Sequence, residues 1–225
     1  MGDSAKVALL YEANGNSFSG TVLETNLQLM KRTFPAIDGI EMDCEDVYDP
    51  VSFVAFCKMA IGMGFDLSFC PYQCKNFWTG SLKALQSSRR GPVKWWNLQC
   101  YAGGSENVPK SWADAIKMVL PDFDTDGFIL AGDWNRFLDN SDPDPNNWDW
   151  NGDCPAAMGG LLASFKAPPN APKGERPVGG GFVWNLDNII GYAASQKQKP
   201  DPDSCGNVGM NDYVNAIRTA LGSGA

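Results

Sequence analysis

Apolar and polar positions follow two periods along the chain, and the switches between them mark the elements. Strand-type segments, short and rich in apolar or alternating residues, recur at 6–12, 36–43, 65–72, 92–101, 126–132 and 179–187. Between them lie segments whose apolar residues return every three or four positions, as one face of a helix requires. Residues 21–34 bring Val22, Leu23, Leu27, Met30 and Phe34 together. Residues 49–64 predict a helix with Pro50 in its first turn and Gly62 and Gly64 at its end. Further helices are expected over 79–88, 111–120, 156–165 and 210–221. Two stretches hold neither period, 132–155 and 188–209, and are expected as long loops. The Pro-rich segment 166–180 reads as a linker.

Six strand–helix units in series, with no repeated motif and no dividing linker, predict a single α/β domain over 1–225. Such a parallel sheet is either doubly wound or closed as a TIM-type (β/α)8 barrel. The turn after the first strand, EANGNSFSG, has Gly15 and Gly20 but no G-x-G-x-x-G, which disfavours a nucleotide-binding doubly wound sheet. Both long loops then leave the C-terminal ends of strands, where barrels place their sites. The first carries Trp134, Trp148 and Trp150 among many Asp and Asn residues.

Composition narrows the chemistry. The 225 residues include 18 basic and 26 acidic ones, a net charge of −8, which argues against a nucleic-acid partner. There is no histidine. Ser–His–Asp and Cys–His catalysis and imidazole metal sites are therefore excluded, and acid–base work falls to carboxylates, tyrosines or lysines. No apolar run approaches the ~20 residues of a membrane span. The start, MGDSAKVALLYEANG, lacks the pattern of a signal peptide, and Lys6 spoils a myristoylation match. Seven cysteines form no C-x-x-C pair. Cys44, Cys57 and Cys100 lie in apolar contexts as buried thiols; Cys154 with Cys205, and Cys70 with Cys74, are candidate pairs. The acids of the 139–153 loop do not match EF-hand spacing and read as a solvated loop.

One strand is unusually acidic. In DGIEMDCED, residues 38–46, side-chain alternation puts Glu41, Asp43 and Glu45 on one face and Ile40, Met42 and Cys44 on the other. Same-face neighbours on a strand are about 6.6 Å apart. Burial and like charge both push such carboxyls upward in pKa. That is what a general acid needs: one carboxyl still protonated beside another that stays ionised. Asp46 and Asp49 instead suit the N-terminus of the following helix.

With these residues, the sequence resembles the glycoside hydrolase family 18 chitinases, whose fourth barrel strand carries D-x-x-D-x-D-x-E. Here that motif reads Asp38, Glu41, Asp43 and Glu45, with Gly39 after the first Asp. WWNLQCY resembles the sixth strand, with Gln99 and Tyr101 as its Gln-x-Tyr, the form of the hevamine-like branch. GGGFVWNLD resembles the eighth, whose tryptophan floors a sugar subsite, here Trp184. The resemblance implies retaining, substrate-assisted hydrolysis of β-1,4-linked N-acetylglucosamine polymers, with no metal and no cofactor. Glu45 would be the general acid. Asp43, assisted by Glu41, Gln99 and Tyr101, would orient the 2-acetamido group that acts as nucleophile, outside the two-carboxylate scheme. Trp184, Asp38 and Trp134, and some of Trp78, Trp148 and Trp150, would contact sugar.

Three departures from the family stand out. Glu41 occupies an aspartate position, and LLYEANGN replaces the Ser-x-Gly-Gly that ends the third strand. The six units correspond to the family's strands three to eight, so the first two units lie outside this chain and the outer strand edges are expected to seek a partner. If a signal peptide precedes the missing units, the protein is extracellular. Two alternatives stand beside a chitinase: a non-catalytic carbohydrate-binding or inhibitor protein on the same scaffold, and an endo-β-N-acetylglucosaminidase acting on N-glycans.

Overall fold

The structure, a computed structural model, describes residues 4–222. In chain order the elements are α1 (Ser4–Ala13), α2 (Val22–Thr33), β1 (Gly39–Met42), α3 (Pro50–Gly62), β2 (Asp66–Phe69), α4 (Lys75–Leu85), β3 (Val93–Gln99) and α5 (Pro109–Val119). They continue with β4 (Ile129–Trp134), β5 (Phe137–Asp139), β6 (Asp149–Asn151), α6 (Pro155–Ser164), β7 (Val178–Trp184), α7 (Leu186–Gln198) and α8 (Met210–Leu221). Five strands form one parallel sheet in the order β1-β2-β3-β4-β7, and β5 and β6 form a separate antiparallel hairpin. The protein is thus α/β, with a parallel sheet flanked by helices.

Alternation along the strands gives this sheet two unlike faces. Met42, Leu67, Phe69, Trp96, Leu98, Ile129 and Ala131 are all buried, and they share one core with Phe53, Phe56 and Cys57 of α3, Trp78 of α4, Trp112 and Ile116 of α5, Met158 of α6 and Tyr213 of α8. Edge-to-face and stacked rings dominate this core, with Phe53, Phe69, Trp78, Trp96 and Trp112 forming a chain of aromatic contacts. The opposite face carries Glu41, Ser68, Asn97 and Gln99, with Trp95 exposed beside them. At Gly39, which opens β1, an added Cβ would lie 2.7 Å from the carbonyl oxygen of Asp66, so the two strands approach there only because the side chain is absent. Among the described residues, β1 and β7 each have one edge without a strand partner.

Helix starts follow the sequence signals. Asp49 caps α3 by accepting from the backbone N–H groups of Val51 and Ser52 at 3.3 and 2.9 Å, with Pro50 in the first turn. Thr21 caps α2 while Glu24 reaches back to the N–H of Gly20 at 2.7 Å.

Three segments depart from the sequence reading. Residues 6–12 belong to helix α1, so the main sheet has five strands instead of six. The unbroken apolar run 7–11 suits either state by pattern. Ala5, Ala8, Leu9, Leu10, Glu12 and Ala13 favour a helix, and Val7 and Tyr11, one turn apart, pack on the core. Residues 186–198, expected as the end of the last strand and the start of the 188–209 loop, form α7, started by the Asn185 side chain accepting from the N–H of Asn188 at 3.0 Å. Likewise the 132–155 segment contains the β5–β6 hairpin.

The last two of these segments pack on each other. Leu138, Trp150 and Tyr192 make a second small core. Above it the side chain of Asp201, with none of its surface exposed, takes both Nε and a terminal nitrogen of Arg136, at 3.0 and 2.8 Å, and the Tyr192 hydroxyl at 2.9 Å. Cys154 and Cys205 are joined by a disulfide that ties the end of the hairpin to the segment before α8. Cys70 and Cys74 are free: Cys70 is buried, whereas Cys74 is exposed at the start of α4 with a left-handed backbone. No helix among the described residues is long and apolar enough to cross a membrane.

Removing one partner of the buried Arg136–Asp201 pair strands a charge away from water. Arg136→Met is expected to lower unfolding free energy by about 3–5 kcal/mol in urea titration. The Arg136 guanidinium also holds the Asp201 carboxyl below the usual range. Its stabilising effect is therefore present above about pH 4 and lost as pH falls further. Asp201→Asn should lose that acid limb, measured as Tm against pH.

Candidate active site

The polar face of the sheet rises into a cleft of about 490 Å3 at the C-terminal ends of its strands. Glu41, Asp43 and Glu45 come from β1 and its extension, Cys70 from the end of β2, and Asn97, Gln99 and Tyr101 from β3 and its end. Trp134 enters from β4, and Phe182 and Trp184 from β7. Seven of the eight residues singled out in the sequence therefore line one cavity. Asp38 does not: it is exposed at the other end of β1, where its carbonyl accepts from Asp66 N–H at 2.9 Å. Trp78 is wholly buried in the helix-side core, and Trp148 and Trp150 serve the second core, so none of the three reaches the cleft.

Gln99 sits at the centre of the polar contacts. Its Nε2 donates to Glu45 Oε1 at 3.1 Å and lies 3.4 Å from Asp43 Oδ1, so one amide ties the two carboxyls together. The amide also reaches the carbonyl and Sγ of Cys70, both at 3.5 Å. Lower on the same face, Glu41 accepts from Asn97 Nδ2 and from Ser68 Oγ, the latter at 3.3 Å.

Burial pushes the Asp43 carboxyl up to about 6, with the charge of Glu45 and then that of Glu41 adding to it. Burial likewise raises Cys70, with nearby carboxylates contributing, so this thiol stays protonated and is no nucleophile. Tyr101 is raised for the same reasons and remains a hydroxyl donor.

The walls are aromatic. Tyr101 stacks on Trp134 with centroids 5.5 Å apart and 29° between planes, and meets Phe182 edge-on at 6.3 Å. Trp184 stands at the rim, half exposed, and the peptide joining it to Asn185 is cis. Phe182 lies over Gly132, where an added Cβ would come within 2.1 Å of the ring.

Three supporting residues were not legible as functional in the sequence. Asn107 donates to the carbonyls of Tyr72 and Gln99 at 2.7 and 2.8 Å and accepts from Trp112 Nε1 at 2.9 Å, clamping the ends of β2 and β3 together. Tyr72 donates to the Glu45 carbonyl at 3.4 Å. Asp46, expected with Asp49 at the N-terminus of the following helix, instead accepts from the backbone N–H groups of Ser4 and Ala5, at 3.0 and 3.4 Å, and so docks the start of α1 beside Glu45. All three act between elements distant in sequence, and no local pattern marks them. The loop acids Asp139, Asp142 and Asp144 accept from backbone N–H groups two residues ahead, as turn residues do.

Compared with family models, curated proteins and solved structures, the chain matches none.

Because Asp43 is raised on folding, the folded state holds its proton more tightly than the unfolded chain. It costs stability above about pH 6, and the cost is relieved as pH falls toward ~3.9. With allowance for solvent screening, Asp43→Asn should raise Tm by about 2–4 °C at pH 7.5 and change it little at pH 4, by calorimetry.

Proposed function

We propose that the protein is a retaining glycosidase of the glycoside hydrolase family 18 type, cleaving β-1,4-linked N-acetylglucosamine polymers. The observation that carries this reading is the Gln99 amide joining Asp43 and Glu45 in a cleft walled by Tyr101, Trp134 and Trp184. Glu45 gives its proton to the glycosidic oxygen as the bond to C1 breaks. The substrate's own acetamido oxygen closes on C1, so no enzyme carboxylate forms a bond to sugar. Asp43 receives the acetamido N–H and stabilises the positive charge that develops on the closing ring. Tyr101 donates to the same acetamido group, and Gln99 fixes the spacing of the two acids. Water then opens the ring at C1 and returns a proton to Glu45, which restores the starting state with net retention. Trp184 offers a flat apolar face to a sugar ring.

The fold reading belongs with this proposal. Strand order equal to chain order, with the core helices on one face, supports the wall of a TIM-type barrel. A doubly wound sheet reverses its order and covers both faces. The Cys154–Cys205 disulfide supports an extracellular setting.

A binding-only role on the same scaffold is the second reading. It is favoured by Glu41, which is longer than the family's aspartate and engaged by Asn97 and Ser68 rather than by Asp43. Turnover of a chitin oligosaccharide decides between them. Glu45→Gln is expected to lower the rate by at least about 100-fold. Equal turnover by both proteins overturns the role of Glu45, and binding without hydrolysis by the native chain selects the second reading. Release of N-glycans from a glycoprotein in preference to chitin cleavage would move the assignment to an endo-β-N-acetylglucosaminidase.

A further inference from the structure

Asn107 is not part of the cleft lining, yet both supports of Glu45 pass through it. At the exit of β2 and β3 the Gln99 N–H donates to the Pro71 carbonyl at 3.0 Å. Just beyond that rung one side chain takes a carbonyl from each segment. Asn107 Nδ2 donates to Tyr72 at 2.7 Å and to Gln99 at 2.8 Å. An amide nitrogen carries two hydrogens, one for each bond. Asn107 Oδ1 accepts from Trp112 Nε1 at 2.9 Å, and that indole is wholly buried. The third bond fixes which way the amide faces. Turned over, it would set an oxygen against two carbonyl oxygens.

The turn from Tyr101 to Asn107 is built around the same contact. The Gly104 N–H donates to the Tyr101 carbonyl at 2.8 Å, and the Asn107 N–H to the Gly104 carbonyl at 2.9 Å. Gly104 is buried, and a Cβ there would come within 2.3 Å of the Gln99 carbonyl oxygen and 2.8 Å of Asn107 Nδ2. Ala102, on the cleft lining, takes a φ of +50°, a left-handed backbone that a side chain disfavours. Such a conformation persists only where surrounding contacts impose it.

Glu45 is gripped twice from these two segments. Its carboxyl accepts from the Gln99 side chain at 3.1 Å, and its backbone carbonyl accepts from the Tyr72 hydroxyl at 3.4 Å. The same Gln99 nitrogen lies 3.4 Å from Asp43 Oδ1. Asn107 holds the main chain of both gripping residues, so losing its two donated bonds moves both grips at once.

We propose that Asn107 is a positioning residue that sets the place of Glu45 against Asp43 by locking the ends of β2 and β3 at one spacing. The clamp stands on geometry; its effect on turnover rests on the glycosidase reading.

The test compares the full native chain with Asn107→Leu, which keeps the volume and removes all three side-chain bonds. Leu82→Ala, which opens a void in the wholly buried helix-side core, is the control for lost stability. Each protein is measured equally far below its own Tm. The first readout is exchange of the Gln99 side-chain amide protons with water, followed by NMR and assigned by their loss in Gln99→Glu. The second is turnover of a chitin oligosaccharide. In Asn107→Leu the amide is expected to exchange at least about tenfold faster. Its kcat should fall at least about tenfold with KM within about twofold of native. Leu82→Ala should change neither. Gly104→Ala pushes the Gln99 carbonyl away from Asn107, is expected to match Asn107→Leu, and replaces it should that variant not fold. Unchanged Gln99 exchange in the clamp variant overturns the proposal, and so does a loss of kcat no greater than that of Leu82→Ala. Faster exchange with no turnover by the native chain supports the clamp and removes the glycosidase reading instead.

Discussion

The burial of Met42 and Cys44 beneath α3 fixes which way the first strand of the sheet faces. Once those two side chains are in the core, alternation sends Glu41, Asp43 and Glu45 to the other side. A one-residue slip would drive three acids into an aromatic core, so the register is strongly enforced. The neighbouring strands answer the acids with polar side chains at matching heights. Ser68 and Asn97 meet Glu41, and Gln99 meets Asp43 and Glu45. Neutral donors meet the acids on this face, and burial, followed by the charge of Glu45, raises the proton affinity of Asp43.

The aromatic side of the cleft depends on a different set of forces. Trp134 leaves the sheet at the point where the β5–β6 hairpin begins, and Phe137 meets its ring at 5.1 Å. That hairpin is held to α7 by a three-residue core, and to the segment between α7 and α8 by the Arg136–Asp201 pair and the Cys154–Cys205 bridge. A small core of this kind has little apolar area with which to hold a tryptophan in place. The buried ion pair and the covalent link supply specificity of geometry that hydrophobic area alone would not.

Much of this was legible in the sequence because it rests on local period. The acidic alternation at 38–46, the strand at 92–101 and the helix at 49–64 all lie where pattern places them. Pattern failed where two states share it. The run 7–11 is apolar throughout and has no period to read, and only residue propensity and the docking of its first turn on Asp46 distinguish helix from strand. The sequence also gave no hint that Trp78, Trp148 and Trp150 differ from Trp134. A tryptophan's environment is decided by which loop folds back over it, and Tyr192, Asp201 and Cys205 come from 40 to 60 residues away. Asn107 was invisible for the same reason, since its three partners lie on three different elements.

The contact between Phe182 and Gly132 separates the width of the cleft from its chemistry. One ring, resting where no side chain can stand, fills the β7 side of the cavity, while every acid and amide stands on other strands. Width is thus an independent variable of this scaffold. A smaller residue at 182 would widen the well and leave the carboxyl spacing untouched, whereas any residue but glycine at 132 would displace the ring. Selection or design could therefore change the size of guest at this position by altering one pair of residues across two adjacent strands, without redrawing the groups that act on it.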